Sequence, residues 1–247
     1  MDRFTRFWLL LILGMLPGLT EAAEPTTPLQ NMQIHANRAT SSLLLYRGEG
    51  FQKAHLLRLE DDLRALNAAL MQVPNPTSAL RESHQELLAR LREGASFGTA
   101  EDDMPWGFPL QMSKALRDFL TAVRAQQGAD SQAELPAKVE YLAVQYLSRA
   151  YIGSFEIARE QPDTYLGQDE RHLVPAIDAQ LAELDGKPVA FMITLPDLTR
   201  WDFLRVALQD MNSASNNLTT ASGRPFAPIM VDRHTRSLSD QWMAAKP

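Results

Sequence analysis

Histidine is the side chain best suited to acid–base or metal chemistry near neutral pH, and the chain has five: His35, His55, His84, His172 and His234. Asp169 and His172 fall one turn apart on a helix and form the candidate metal pair, since such a pair can share a metal ion or a proton. The same pattern also reads as a solvated helix start, where an acidic residue is favoured by the helix dipole. No HExxH zinc pair occurs, and no histidine follows a glutamate by three, so the di-iron bundle motif is missing. His35 and His55 are twenty residues apart, or about 30 Å on one straight helix. They can serve one metal site only if the chain reverses at Gly48–Gly50. His234 stands near Asp232, Ser237 and Ser239, but the members of a catalytic triad converge from separate segments. There is no GxSxG elbow, no SxxK with its partners and no glycine-rich phosphate loop. No catalytic residue is assigned and no cofactor is expected.

Two further segments have unusual chemistry. Tyr46-Arg47-Gly48-Glu49-Gly50-Phe51 interrupts a helical pattern with two glycines. A kink in a bundle opens a gap between helices, and such gaps hold ligands. Tyr46, Arg47, Glu49 and Phe51 are therefore the candidate ligand-binding residues; the competing expectation is a plain turn between two shorter helices. The segment 101–109 (EDDMPWGFP) has no periodicity. Trp106 and Phe108 are its candidate partner-binding residues, because aromatic anchors dominate interface energies. The competing expectation is that they pin the loop to the bundle.

The elements that must position these groups are helices. Met32, Ala36, Ala39, Leu43 and Tyr46 recur at alternating spacings of four and three, and so do Leu56, Leu59, Leu63, Leu66, Leu70 and Val73. The two stripes are out of phase by one residue, which predicts a kink, bulge or break at Gly48-Glu49-Gly50. Asn75-Pro76 predicts a capped helix start, with Leu80, His84, Leu87 and Leu91 inward and Gly94 as its end. Met112, Leu116, Phe119 and Val123 mark another helix. Val139, Leu142, Tyr146, Leu147 and Phe155 mark the next, with Gly153 inside it. Leu173, Ile177, Leu181 and Leu184 mark a further one, with Pro175 as a kink or start. Trp201, Leu204, Val206 and Leu208 predict a helix, and so do Val231, Thr235, Leu238 and Trp242. The apolar run 189–195 suits strand or helix equally. The expected fold is all-α: a kinked antiparallel bundle of six to seven helices with at most one short strand-like segment.

Residues 1–22 read as a cleaved signal peptide. Arg3 and Arg6 precede an apolar stretch from Phe7 to Leu19, and Thr20 and Ala22 sit at the −3 and −1 places. The rest divides into a helical bundle over 23–211, a polar and proline-rich link over 212–228, and a C-terminal helix over 229–247 packed on the bundle. The 247-residue chain has no cysteine and a net charge of −6. That excludes disulfide scaffolds, cysteine-held zinc or iron–sulfur centres and cysteine nucleophiles. The acidic balance argues against nucleic-acid binding. The expected protein is a periplasmic or secreted, non-enzymatic bundle with no stable membrane anchor after cleavage. It would act as an accessory, adaptor or solute-sensing subunit whose partner is an envelope protein or a small molecule. The alternative is a periplasmic hydrolase or metal-dependent protein using a His/Asp site.

Overall fold

The computed structural model describes residues 27–127, 134–184 and 195–244. The predicted signal peptide and most of the 189–195 run lie outside them. Among the described residues there are eight α-helices and no strand. They are α1 (Pro28–Gly48), α2 (Lys53–Gln72), α3 (Ser78–Ser96), α4 (Phe108–Gln127), α5 (Leu135–Tyr151), α6 (Glu170–Leu184), α7 (Leu195–Gln209) and α8 (Pro228–Ala244). The all-α bundle is as expected, with one helix more, because the Gly48–Gln52 break separates α1 from α2 instead of kinking one rod. No helix among the described residues is long and apolar enough to cross a membrane.

α1 is the central element, packed by α2, α3, α4, α5 and α8. Around it α3 pairs with α4, α5 with α6 and α8, and α7 with both α6 and α8. Its start is well determined: Thr27 Oγ1 accepts from Gln30 N and Gln30 Oε1 accepts from Thr27 N, with Pro28 in the first turn. Its end is a glycine turn. Gly50 has φ +78°, and the Phe51 N–H reaches back to Tyr46 O at 2.8 Å.

The predicted stripes are buried: Leu59, Leu63 and Leu66 on α2, Leu80, Leu87 and Leu91 on α3, Leu116, Phe119 and Val123 on α4, and Val231, Leu238 and Trp242 on α8. Four local expectations are corrected. The cap of α3 is Thr77, whose hydroxyl accepts from Leu80 N, whereas Asn75 sits before it at φ +52°. Gly94 does not end α3; it is buried inside the helix because Phe108 and Leu43 lie where a Cβ would stand. Gly153 lies beyond α5 and terminates it in a left-handed conformation, φ +90°. Val206 is 59% exposed, off the inward face that Trp201, Leu204 and Leu208 form.

The polar link is fastened along its length. Asp210 accepts from Ser222 N and Oγ at 2.8 and 2.6 Å, Arg149 donates to the carbonyls of Ser215 and Asn217, and Ala227 N donates to Tyr146 OH at 3.0 Å.

α1 is buried on more than its apolar stripe. Gln33, Asn37, Arg38, Thr40, Ser41 and Ser42 are all buried, and burying such groups is costly unless they are paired. Arg38 donates to Glu140 on α5 at 2.7 Å and to Asp240 on α8 at 2.7 Å. Arg236 on α8 grips Asp62 on α2 through two bonds of 2.9 and 2.8 Å, and also reaches Asp232, Ser42 and the Arg38 carbonyl. Arg58 pairs with the second oxygen of Asp232 at 2.9 Å. Although burial opposes the charge on Arg236, its hydrogen bonds to Asp62 raise the Arg236 pKa. Removing one member of a buried pair typically costs about 3–5 kcal/mol, because the other charge stays behind unpaired. Arg236→Met should therefore destabilise the chain by about that amount, read as a lower urea midpoint. A loss within 0.5 kcal/mol, roughly the size of an ordinary surface substitution, would show that the network is idle.

Candidate functional site

The clearest concave feature lies where α1 ends. A cavity of about 260 Å³ opens between α1, α4 and α5 under the loop that joins α3 to α4. Its wall is mainly apolar, formed by Leu43, Leu44, Met104, Met112, Leu116 and Phe155 among others. For scale, an apolar cavity of ~150 Å³ holds benzene. Close approach of the backbones shapes one side: a Cβ on Gly48 would fall 2.3 Å from the Tyr151 ring. Phe51 closes the same end with φ +59°. Such a conformation costs a bulky residue on the order of 1–3 kcal/mol. It is held by edge-on packing against Tyr46, ring centroids 5.4 Å apart, and by the Arg47 guanidinium 5.1 Å from the Phe51 ring.

The four sequence candidates at this break divide two and two. Arg47 and Phe51 line the cavity. Tyr46 stands behind Phe51, and Glu49 accepts a hydrogen bond from the hydroxyl of the lining residue Tyr151. Arg47 also braces the fold. Its Nη1 donates to Gly94 O and Phe97 O at 3.1 and 3.3 Å, and its Nη2 donates to Gly98 O at 3.3 Å. These are carbonyls at the C-terminal end of α3, a usual partner for a cation. Sequence reasoning missed the larger part of the wall, supplied by α4, α5 and the 99–104 segment. The α4 and α5 residues read as ordinary core positions of their own helices, and the 101–109 segment stands out in the sequence without any sign that it lies over this cavity.

The aromatic pair on the α3–α4 loop is split. Phe108 is 4% exposed and packs edge-on against Phe97 with centroids 4.9 Å apart, so it is core. Trp106 is 99% exposed. Of the two, only Trp106 is available to a partner.

Asp169 and His172 do meet, Oδ1 to Nδ1 at 3.3 Å, at the start of α6. Arg171 occupies the same carboxylate, Nη2 to Oδ2 at 2.5 Å. Burial pushes Asp169 up, but the Arg171 and His172 bonds outweigh it and hold the carboxyl below its usual range. His172 is exposed, and among the described residues no third metal-ligating side chain joins the pair. His234 stacks on Phe203 of α7 at 4.5 Å and has no part in that cluster. The chain does reverse after Gly48, but the register separates His35 from His55. The Ser42–Asp62 bond aligns the two helices, which puts His35 and His55 about 20 Å apart along the hairpin. His84 is buried against Phe119, centroids 6.0 Å apart.

His35 lies beside the charge network, with Nδ1 buried and unpartnered. Burial, with Arg38 next, pushes it down from 6.5 to about 4, against attraction from Asp62 and Asp240. The folded chain thus favours the neutral ring, and the unfolded chain takes up the proton first. Stability contributed by His35 is full above pH 6.5 and is lost as pH falls towards 4. The loss is roughly 3 kcal/mol. Glu140, raised by burial, acts in the opposite sense. The difference between wild type and His35→Gln in urea midpoints across this range isolates the histidine. Parallel curves for the two proteins would refute the assignment.

The chain matches no protein-family model, no curated protein sequence and no solved structure.

Proposed function

We propose that this protein is an exported, non-enzymatic binding protein of the bacterial envelope, whose α1–α4–α5 cavity takes a small, largely apolar molecule. One observation supports the reading most: an apolar cavity at the break between α1 and α2, where the glycine-rich interruption suggests a site. A preformed pocket of this kind, with a few polar groups on its wall, is the usual design of a small-molecule site. The solute-sensing role gains from the loop above the cavity. Thr99, Ala100 and Met104 line the site, while Trp106 on the same loop faces solvent, so one segment joins the cavity wall to a partner-facing aromatic. The enzyme alternative draws less support, since His172 shares Asp169 with Arg171 and stands apart from His234.

The cavity is tested with octanol and thermal denaturation. Ligand at about a hundred times Kd stabilises by about 2.7 kcal/mol, or several degrees in a chain of this size. Ser148 lines the cavity, and its hydroxyl has no protein partner among the described residues. Ser148→Leu therefore fills space without breaking a bond and should abolish the octanol shift while the variant itself stays folded. An unchanged shift in the variant would exclude this cavity. Export is tested by the intact mass of protein recovered from the periplasm of cells expressing the full chain. The expected species begins at Ala23, and recovery of uncleaved chain in the membrane fraction would contradict cleavage.

A further inference from the structure

We infer that the ligand of this cavity is a small amphipathic carboxylate, with its apolar body among the leucine and methionine side chains and its head on Arg47. The inference rests on the reading of the cavity as a ligand site and adds the chemical class. Size sets the first limit. Scaling from a ~150 Å³ cavity that holds benzene, the 260 Å³ here accommodates about ten non-hydrogen atoms, which suits a free small molecule and not a whole lipid.

The polar groups on the wall set the second limit. Most are already engaged: Thr40 Oγ1 donates to Ala36 O at 2.9 Å, Ser113 Oγ donates to Pro109 O at 3.0 Å, and Tyr151 OH donates to Glu49. Of the five guanidinium N–H groups of Arg47, three go to backbone carbonyls. The Nε hydrogen and one Nη2 hydrogen have no protein partner among the described residues. The spare polar capacity of the wall therefore consists of these two N–H groups, which can only donate, and the hydroxyls of Thr99 and Ser148, which can donate to an anion as well as accept.

Charge sets the third limit. Arg47 lines the cavity and forms no ion pair among the described residues, whereas Arg38, Arg58, Arg90, Arg124 and Arg236 all do. Neither nearby carboxylate bonds to Arg47: Glu49 accepts from Tyr151, and Asp103 accepts from Ala100 N at 2.8 Å. Burial disfavours the charge on Arg47, with Asp103 acting to retain it. A neutral apolar ligand would bury that cation further without compensation. A carboxylate supplies the missing charge and can accept the two spare N–H groups side by side, in the paired geometry that makes arginine a strong carboxylate receptor.

The test is calorimetric titration of the full chain with octanoate, octanol and octylamine at neutral pH and low salt. Octanoate is expected to bind at least about tenfold more tightly than octanol, given the strength of charge-assisted hydrogen bonds, with octylamine weakest. Arg47→Met is expected to abolish the preference, so that octanoate binds no more tightly than octanol to the same variant, and Arg47→Lys to recover part of it. Equal affinity for octanoate and octanol in the unaltered chain overturns the carboxylate assignment but leaves the cavity reading standing. A full octanoate preference in a folded Arg47→Met protein overturns the role of Arg47. If none of the three compounds binds, the cavity reading itself fails. Because Arg47 also caps α3, the ligand series on the unaltered chain carries the test if the methionine variant does not fold.

Discussion

Burying a polar helix sets the terms for the rest of this fold. α1 places Arg38, Asn37, Gln33 and three consecutive hydroxyl residues in the interior. An unpaired charge there would cost several kcal/mol, so the neighbours of α1 must present matching groups at matching heights. α5 presents Glu140, α2 presents Asp62, and α8 presents Arg236, Ser239 and Asp240. Each bond has one geometry, whereas apolar contacts tolerate sliding. The charge network therefore specifies the rotation and register of four helices in a way that leucine packing alone does not. It is not perfectly closed: Glu140 Oε2, Ser41 Oγ and Thr235 Oγ1 are buried without a protein partner. Unsatisfied groups of this kind make such a core sensitive to substitution.

The cavity belongs to the other half of α1. Past Ser42 the helix turns apolar, with Leu43, Leu44 and Leu45, and ends in a stretch that needs glycine. At Gly48 the reason is steric, since Tyr151 occupies the place of a side chain; at Gly50 it is the left-handed backbone. Arg47 ties this end of α1 to the last carbonyls of α3, and Tyr151 ties α5 to Glu49. The α1 and α5 walls of the cavity are thus fastened at one end by these bonds and at the other by the Arg38–Glu140 pair of the buried network. Preorganisation of that kind reduces the ordering that binding would otherwise require.

The helical elements were legible in the sequence because an amphipathic helix writes its inward face as a spacing of three and four. The stripes of α2, α3, α4 and α8 are buried where the spacing puts them. Legibility failed where a residue serves a distant neighbour. Gly94 reads as a stop signal, yet it is there because Phe108 and Leu43 press on the helix. Gly153 reads as helix interior, yet it ends α5, with Leu218 packed on it. Phe108 reads as a loop aromatic, yet it is core.

The candidate site divides along the same line. Composition and periodicity by themselves determined an all-α chain without cysteine chemistry, and the glycine interruption marked Arg47 and Phe51, which do line a cavity. Both conclusions rest on local rules, in which each residue is judged by neighbours within a turn or two. Only the tertiary structure decided that the interruption is a turn, that the register keeps His35 and His55 apart, and that Arg38, Asp62, Glu140 and Arg236 converge. These groups lie as far as 198 residues apart in the chain. A pairing between helices depends on their relative rotation and height, and no spacing within one helix records either.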